Sequence, residues 1–362
     1  MTVTKSKAID LDDVKAIEAI DRSDMLGHIQ ALPESMISAK GTKRPSLDIV
    51  PDTIIIAGMG GSAIAGDIIA DIARQTICPP VIVSRDYSLP GYVGKKALVI
   101  ITSYSGNTEE TLGAYDDARN KGARMVCVTT GGRLADKAGK DGVPILALKA
   151  EKDIAPRAAM GHMLVPTMLL LEDIGAIEAK ANIDEAVQVL KGMRGGMAKE
   201  VPTKDNRAKA IAKALVGRLP VVLAPYNLAT AARRWQTQLN ENAKVIARWD
   251  VVPEMDHNDI VAWSELTDGG RHPLATTKGS PLPVMLLDPK GDERLVRRMA
   301  VTRSIALGKE AIEVSAEGQR TLARLLSLIY VGDHVSTYMA IRQGKDPTPV
   351  TVIERLKKEL SK

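Results

Sequence analysis

The sequence contains no phenylalanine, and its aromatic content is only 3%. Its cores must therefore be packed from Ile, Leu, Val, Ala and Met. Few flat side chains remain to stack nucleobases, which argues against a nucleic-acid groove. Cysteine is nearly missing, with only Cys78 and Cys127 in 362 residues. Two lone thiols make no disulfide framework. Both stand in or beside apolar, strand-like runs, where buried inert thiols are expected. No Cys-x-x-Cys or His-x-x-x-His spacing occurs, so no metal site is expected. Long apolar runs are missing too. The stretch from Met163 to Leu171 is short for a bilayer and contains Pro166. Met1 to Asp13 is polar with no apolar leader, and Lys5-Ser6-Lys7 reads as a solvated, frayed end. The expected compartment is the cytoplasm, with neither a membrane nor a nucleic acid as partner.

Charge is mixed and mild. There are 49 Lys and Arg against 44 Asp and Glu, a net charge of +5. That balance helps attract an anionic metabolite without requiring one. The chain is long enough for two domains. Asp10 is placed to cap a first helix in which Val14, Ile17 and Ile20 recur at helical spacing. Short, continuous apolar runs then alternate with helical segments. Thr53 to Ala57, Val81 to Val83, Ala97 to Thr102, Arg124 to Thr129 and Pro144 to Leu148 read as strands buried on both faces. A second series opens at Pro220 to Ala224 and continues with Lys244 to Ala247 and Val284 to Leu287. Thr321 to Ile341 reads as a long helix. Val350 to Leu360 closes the chain as a short amphipathic one, with Leu356 and Leu360 on its buried stripe.

The fold class is α/β, with two doubly wound parallel-sheet subdomains and a C-terminal helix. The expected segments are 1–46, helical; 47–200, the first subdomain; 201–330, the second; and 331–362, helical again.

Two loops carry the chemistry. Gly58-Met59-Gly60-Gly61-Ser62-Ala63 follows the first strand, and Ser103-Tyr104-Ser105-Gly106-Asn107-Thr108 follows the third. Each lies where a strand gives way to a helix, so free backbone N–H groups and the positive end of the helix dipole await an anion. Ser103, Ser105 and Thr108 can face one cup and satisfy phosphate oxygens without a buried counter-charge. An ordinary helix cap needs only one such hydroxyl. Taken alone, the first loop also fits a dinucleotide fingerprint, and Arg85 after the next strand would suit a 2′-phosphate. That rival leaves the hydroxyls of the second loop without a task.

The segments GMGGSAIAGD (58–67) and SYSGNTEET (103–111) resemble the signatures of the sugar isomerase, or SIS, fold, which makes both subdomains SIS-type. Pro156-Arg157-Ala158-Ala159, Gln238 to Lys244 (QLNENAK), Glu254-Met255-Asp256-His257-Asn258 and the tail from Asp346-Pro347 to Lys357 narrow the likeness. Together they resemble the bifunctional phosphoglucose/phosphomannose isomerases, from about Ile54 to the C-terminus. The resemblance implies an aldose–ketose isomerase that interconverts glucose 6-phosphate, and mannose 6-phosphate, with fructose 6-phosphate through a cis-enediolate, independently of metal and with no cofactor, since acid/base side chains suffice.

It implies Glu241 as the proton-transfer base, although a Glu near a helix end is by pattern an ordinary solvated residue. It implies His257 as the ring-opening residue, crossing to the neighbouring subunit's site in a homodimer. Lys357 is implied near the ring oxygen, with adjacent Lys358 as the alternative, and Arg157 on the enediolate. Gly60, Gly61 and Ser62 would approach the substrate, with Ser103, Ser105 and Thr108 on its phosphate. A non-catalytic SIS module that senses a sugar phosphate is the alternative from another class, and a dinucleotide-dependent oxidoreductase is the weaker one.

Overall fold

A computed structural model describes residues 8–76, 79–151, 154–267 and 279–360. Cys78 and the segment Lys5-Ser6-Lys7 lie outside the described residues. The chain divides into two compact units. One comprises Ala31–Lys191 with Gly318–Leu325; the other comprises the residues up to Gln30, Gly192–Glu317 and Leu326–Lys362.

In chain order the helices and strands begin with α1 (Val14–Ile20), α2 (Met25–Gln30) and α3 (Leu32–Ala39). Next come β1 (Thr53–Gly58), α4 (Gly60–Ala73), β2 (Val81–Ser84), β3 (Ala97–Thr102) and α5 (Glu109–Asn120). They are followed by β4 (Arg124–Thr129), α6 (Gly132–Asp141), β5 (Ile145–Ala147), α7 (Met160–Asp173) and α8 (Lys180–Arg194). The second series is α9 (Arg207–Leu215), β6 (Leu219–Pro225), α10 (Ala229–Glu241), β7 (Arg248–Val252) and α11 (Asp259–Thr267). It ends with β8 (Pro281–Leu287), α12 (Glu293–Thr302), β9 (Ile312–Ser315), α13 (Thr321–Arg342) and α14 (Thr351–Leu360).

Strands β1 to β5 form one sheet in the order β2-β1-β3-β4-β5, with every pairing parallel. Helices cover both faces, so the central strands have no polar side to present. Ile54, Ile55, Ile56, Val99, Ile100 and Ile101 are all fully buried. Each such side chain contributes about 1.5–3 kcal/mol by leaving water. On one face, Ile55, Val99, Ile101, Leu112, Tyr115 and Leu134 share a single apolar cluster. The remaining strands form the second sheet in the order β7-β6-β8-β9, again all parallel. It has the same strand sequence as the first, one edge strand shorter. Without phenylalanine, the large core side chains of this unit include Trp235, Tyr330 and Tyr338, all on helices.

Four details depart from the sequence reading. Asp13, not Asp10, caps α1 by accepting from Ala16 N at 3.0 Å. The apolar run Lys244 to Ala247 is not a strand. Lys244 takes a left-handed φ of +57° and donates through Nζ to Glu241 O (2.6 Å) and Pro347 O (2.9 Å). Pairing starts only at Arg248. Between Leu287 and Thr321 the sequence pattern assigns no element, yet α12 and the short edge strand β9 lie there. Finally, Leu356 and Leu360 face solvent: all of α14 is exposed, Leu356 at 57%.

Candidate functional site

In a doubly wound sheet of order 2-1-3-4-5, ligands bind outside the carboxyl ends of the strands where the winding reverses, here β1 and β3. Gly58 and Thr102 are paired at those ends, so both glycine- and serine-bearing loops leave the sheet side by side. Gly58 permits that approach, since a Cβ there would lie 2.7 Å from Thr102 O.

The first loop enters α4 through Gly60, whose φ of +51° favours a residue without a Cβ. The N-cap residue Met59 provides no side-chain hydrogen bond. Gly61 lies against the backbone of the segment before α7: its Cβ would come within 3.3 Å of Arg157 Cα and Pro156 O. Arg157 is buried, at 5% exposure, so it is not a surface arginine. Ser62, also buried, donates its hydroxyl to Met163 Sδ of α7 at 3.3 Å.

The second loop is built around a hydroxyl pair. Ser103 Oγ lies 3.0 Å from Thr108 Oγ1 and accepts from Gly106 N at 3.1 Å. Thr108 is the N-cap residue of α5, yet its side chain makes no capping hydrogen bond. Capping therefore does not account for this hydroxyl. Ser105 is exposed and accepts from Asn107 N at 3.3 Å. Glu109 and Glu110 complement the dipole in the first turn of α5.

Asn107 was not singled out by sequence reasoning, and it holds the loop's shape. Its Nδ2 donates to Ser105 O (3.0 Å) and its Oδ1 accepts from Arg133 N (3.1 Å). An amide after glycine in a strand-to-helix turn was the available signal.

One unit thus brings Gly60, Gly61, Ser62, Ser103, Ser105, Thr108 and Arg157 to neighbouring strand ends and the α7 entry. Arg85, the residue that would suit a 2′-phosphate, is instead paired with Asp67 of α4.

The other three candidates occupy different elements of the other unit. Glu241 is the last residue of α10 and is half-buried. Its helix is anchored to α13 by Arg234–Asp333 hydrogen bonds of 2.9 and 3.1 Å, by Trp235 Nε1 on Leu328 O (2.8 Å), and by Asn242 Nδ2 on Ser336 Oγ (3.0 Å). Both charges of the Arg234–Asp333 pair are buried, and breaking such a pair costs about 3–5 kcal/mol. His257 ends a single 3₁₀ turn after β7 and is exposed, while its neighbours Met255 and Asp256 fix the turn. Met255 is buried, and Asp256 accepts from Thr302 Oγ1 at 2.9 Å. Lys357 and Lys358 are both exposed on α14, so a buried stripe does not choose between them.

The second sheet carries nothing comparable at its matching position. There Asp288, buried after β8, accepts from Asn227 Nδ2 after β6 at 2.6 Å, beside an apolar pocket lined by Leu287, Leu295 and Met299. Among the described residues no three His, Cys, Asp or Glu side chains gather as a metal cluster would, and no helix is long and apolar enough to cross a membrane.

The doubled parallel-sheet plan and the paired loops define a SIS-fold protein. Residues 49–170 match the SIS domain family, and residues 204–360 match the bacterial phospho-glucose isomerase C-terminal SIS domain. Among solved structures, a glucose-6-phosphate isomerase like protein from Thermus thermophilus superposes with a TM-score of 0.64 at 20% identity, covering 97% of this chain and 99% of that one. The bifunctional phosphoglucose/phosphomannose isomerase of Caldicellulosiruptor bescii is 40% identical over 314 residues, 86% of this chain and 90% of the relative. The enzyme of the same description from Aquifex aeolicus is 34% identical over 85% of this chain and 90% of its own length. The chain belongs to the bifunctional phosphoglucose/phosphomannose isomerase family.

Proposed function

We propose that this protein is an aldose–ketose isomerase that converts glucose 6-phosphate, and mannose 6-phosphate, to fructose 6-phosphate and back without a metal. The observation that carries the reading is the hydroxyl pair Ser103–Thr108. It stands at the start of a helix, beside the Gly60-Gly61 turn, with the Thr108 side chain unused as a cap. Hydroxyls and N–H groups of this kind suit a phosphoryl group. Family membership supplies the reaction.

In this reading His257 and Lys357 manage the protons on the ring oxygen and O1 as the hexose ring opens. Glu241 then takes the proton from C2. The C2–H electron pair becomes the C1–C2 double bond, and the carbonyl pair moves onto O1. The Arg157 guanidinium stabilises the resulting cis-enediolate without titrating. The O2–H proton passes to O1, and as Glu241 returns its proton to C1 the enediolate double-bond pair forms the C1–H bond and the O2 pair forms the C2 carbonyl, so no electron leaves the sugar and no redox partner is required. Homodimerisation, with His257 delivered to the neighbouring subunit's site, completes the proposal. The cytoplasm is the compartment proposed with it.

A coupled assay in the presence of a chelator tests the activity directly. Turnover should survive chelation, and Glu241→Gln should lower kcat by about 10²–10⁴-fold, the usual contribution of a positioned general base. Deuterium from the solvent should enter the product. Wild-type turnover in Glu241→Gln overturns the assignment.

A further inference from the structure

The first turn of α7 reaches both loops, and one of its links passes through residues that the proposed chemistry leaves unused. Arg157, just before the helix, backs onto Gly61, and Met163 accepts from Ser62. Between them, His162 is 97% buried and its Nε2 lies 2.8 Å from Glu151 Oε1, off the axis of an ideal hydrogen bond. Glu151 is tied in turn to the second loop: its backbone N–H donates to Tyr104 Oη at 3.2 Å. The Tyr104 carbonyl is also held, accepting from Thr130 N at 3.1 Å and Thr130 Oγ1 at 2.7 Å. Tyr104 stands between the two serines of the hydroxyl loop.

A buried histidine beside a half-exposed carboxylate has a plain structural explanation, an ion pair that adds a little stability. The connections argue for more. The carboxylate is 38% exposed and has water as an alternative partner, yet it is drawn to an imidazole at the entrance of α7. The same residue's N–H is committed to the tyrosine of the loop. The contact therefore ties the first turn of α7, which Arg157 shortly precedes, to the loop that carries Ser103, Ser105 and Thr108.

We propose that Glu151 and His162 act together as positioning residues, holding Tyr104 and thereby the Ser103–Thr108 hydroxyls in register with Gly61 and Arg157. This inference rests on the reading of that loop as the phosphate seat. Neither residue touches substrate. They set how well the seat is formed before the sugar phosphate arrives, so their loss weakens phosphate binding more than it slows the chemical step.

The test uses inorganic phosphate as a competitive inhibitor and fructose 6-phosphate as substrate, with full-length Glu151→Gln, His162→Asn, the double variant and Thr108→Ala. Each single positioning variant should raise the phosphate Ki and the KM about fivefold while kcat stays within about twofold of wild type, and the double variant should be no worse than either single because the two act as one link. Glu151 is partly exposed, so Glu151→Gln retains the fold even if His162→Asn does not. An unchanged Ki in Glu151→Gln, with Thr108→Ala impaired, overturns the positioning role alone. Independent, multiplying effects in the double variant also overturn it. An unchanged Ki in Thr108→Ala overturns the phosphate reading itself, and the inference falls with it.

Discussion

At the scale of single residues, the loop after β3 depends on one missing side chain. Gly106 has a φ of +68°, and a Cβ there would sit 1.8 Å from Gly131 O, inside the neighbouring loop. The left-handed conformation alone costs an L-residue about 1–2 kcal/mol, and the collision obliges the 129–132 segment to move. Gly106→Ala should therefore lower the melting temperature by several degrees and weaken inhibition by inorganic phosphate about tenfold or more. A thermal melt and a phosphate inhibition curve check it; an unchanged Ki would show that this turn does not shape the seat. The glycines and hydroxyls of both loops were legible in the sequence because residue type and conformation are tightly linked there. The neighbours of Arg157 were not legible. Its proximity to Gly61 is a contact across about a hundred residues of chain, and no local pattern encodes it.

At the scale of elements, α13 carries a group that ties stability to pH. His334 is fully buried, stacked edge-on against Tyr330 at 4.6 Å and near Tyr338 at 6.4 Å. Its Nδ1 lies 2.8 Å from Tyr330 O, which can only accept, so Nδ1 carries the proton. Its Nε2 is buried without a hydrogen-bond partner, so protonation there has nothing to receive it. Burial accordingly pushes the imidazole down from 6.5 to about 4. The unfolded chain binds a proton between these two values that the folded chain refuses. Stability from this group is therefore complete above pH 6.5 and is lost as pH falls toward 4, by up to about 3 kcal/mol.

Urea unfolding of the wild type should show this loss, and a His334→Gln variant should show a pH slope flatter by up to one proton over the same window. Equal slopes would overturn the account. Helix existence was readable here from apolar spacing, as were the buried strands. The errors fell where pattern misleads. Val245 and Ile246 look like strand residues, but Lys244 bends the chain into a left-handed turn before them. Leu356 and Leu360 recur as a core stripe would, yet α14 presents them to solvent.

At the scale of the whole molecule, the proposed subunit exchange of His257 has a distinctive signature. Glu241→Gln and His257→Ala homodimers should each be nearly inactive. After mixing and reassociation, half of the dimers pair one variant with the other, and each of these regains one intact site if Glu241 and His257 come from different subunits. Activity should then recover to about one quarter of wild type. No recovery, with exchange verified by mass or label, would place both residues in the same subunit's site. The sequence could not reach this level by pattern. His257 is one exposed histidine on a short turn, and what it serves depends on a surface that the turn itself does not describe.

The two sheets repeat one strand plan, but only the first carries the hydroxyl loop proposed to receive an anion. At the matching place in the other, Asp288 sits buried with its carboxylate answered by Asn227. A negatively charged guest would meet carboxylate oxygens there rather than hydroxyl or N–H donors. On the proposed reading of the first loop pair, each polypeptide should saturate with a single hexose phosphate rather than a pair.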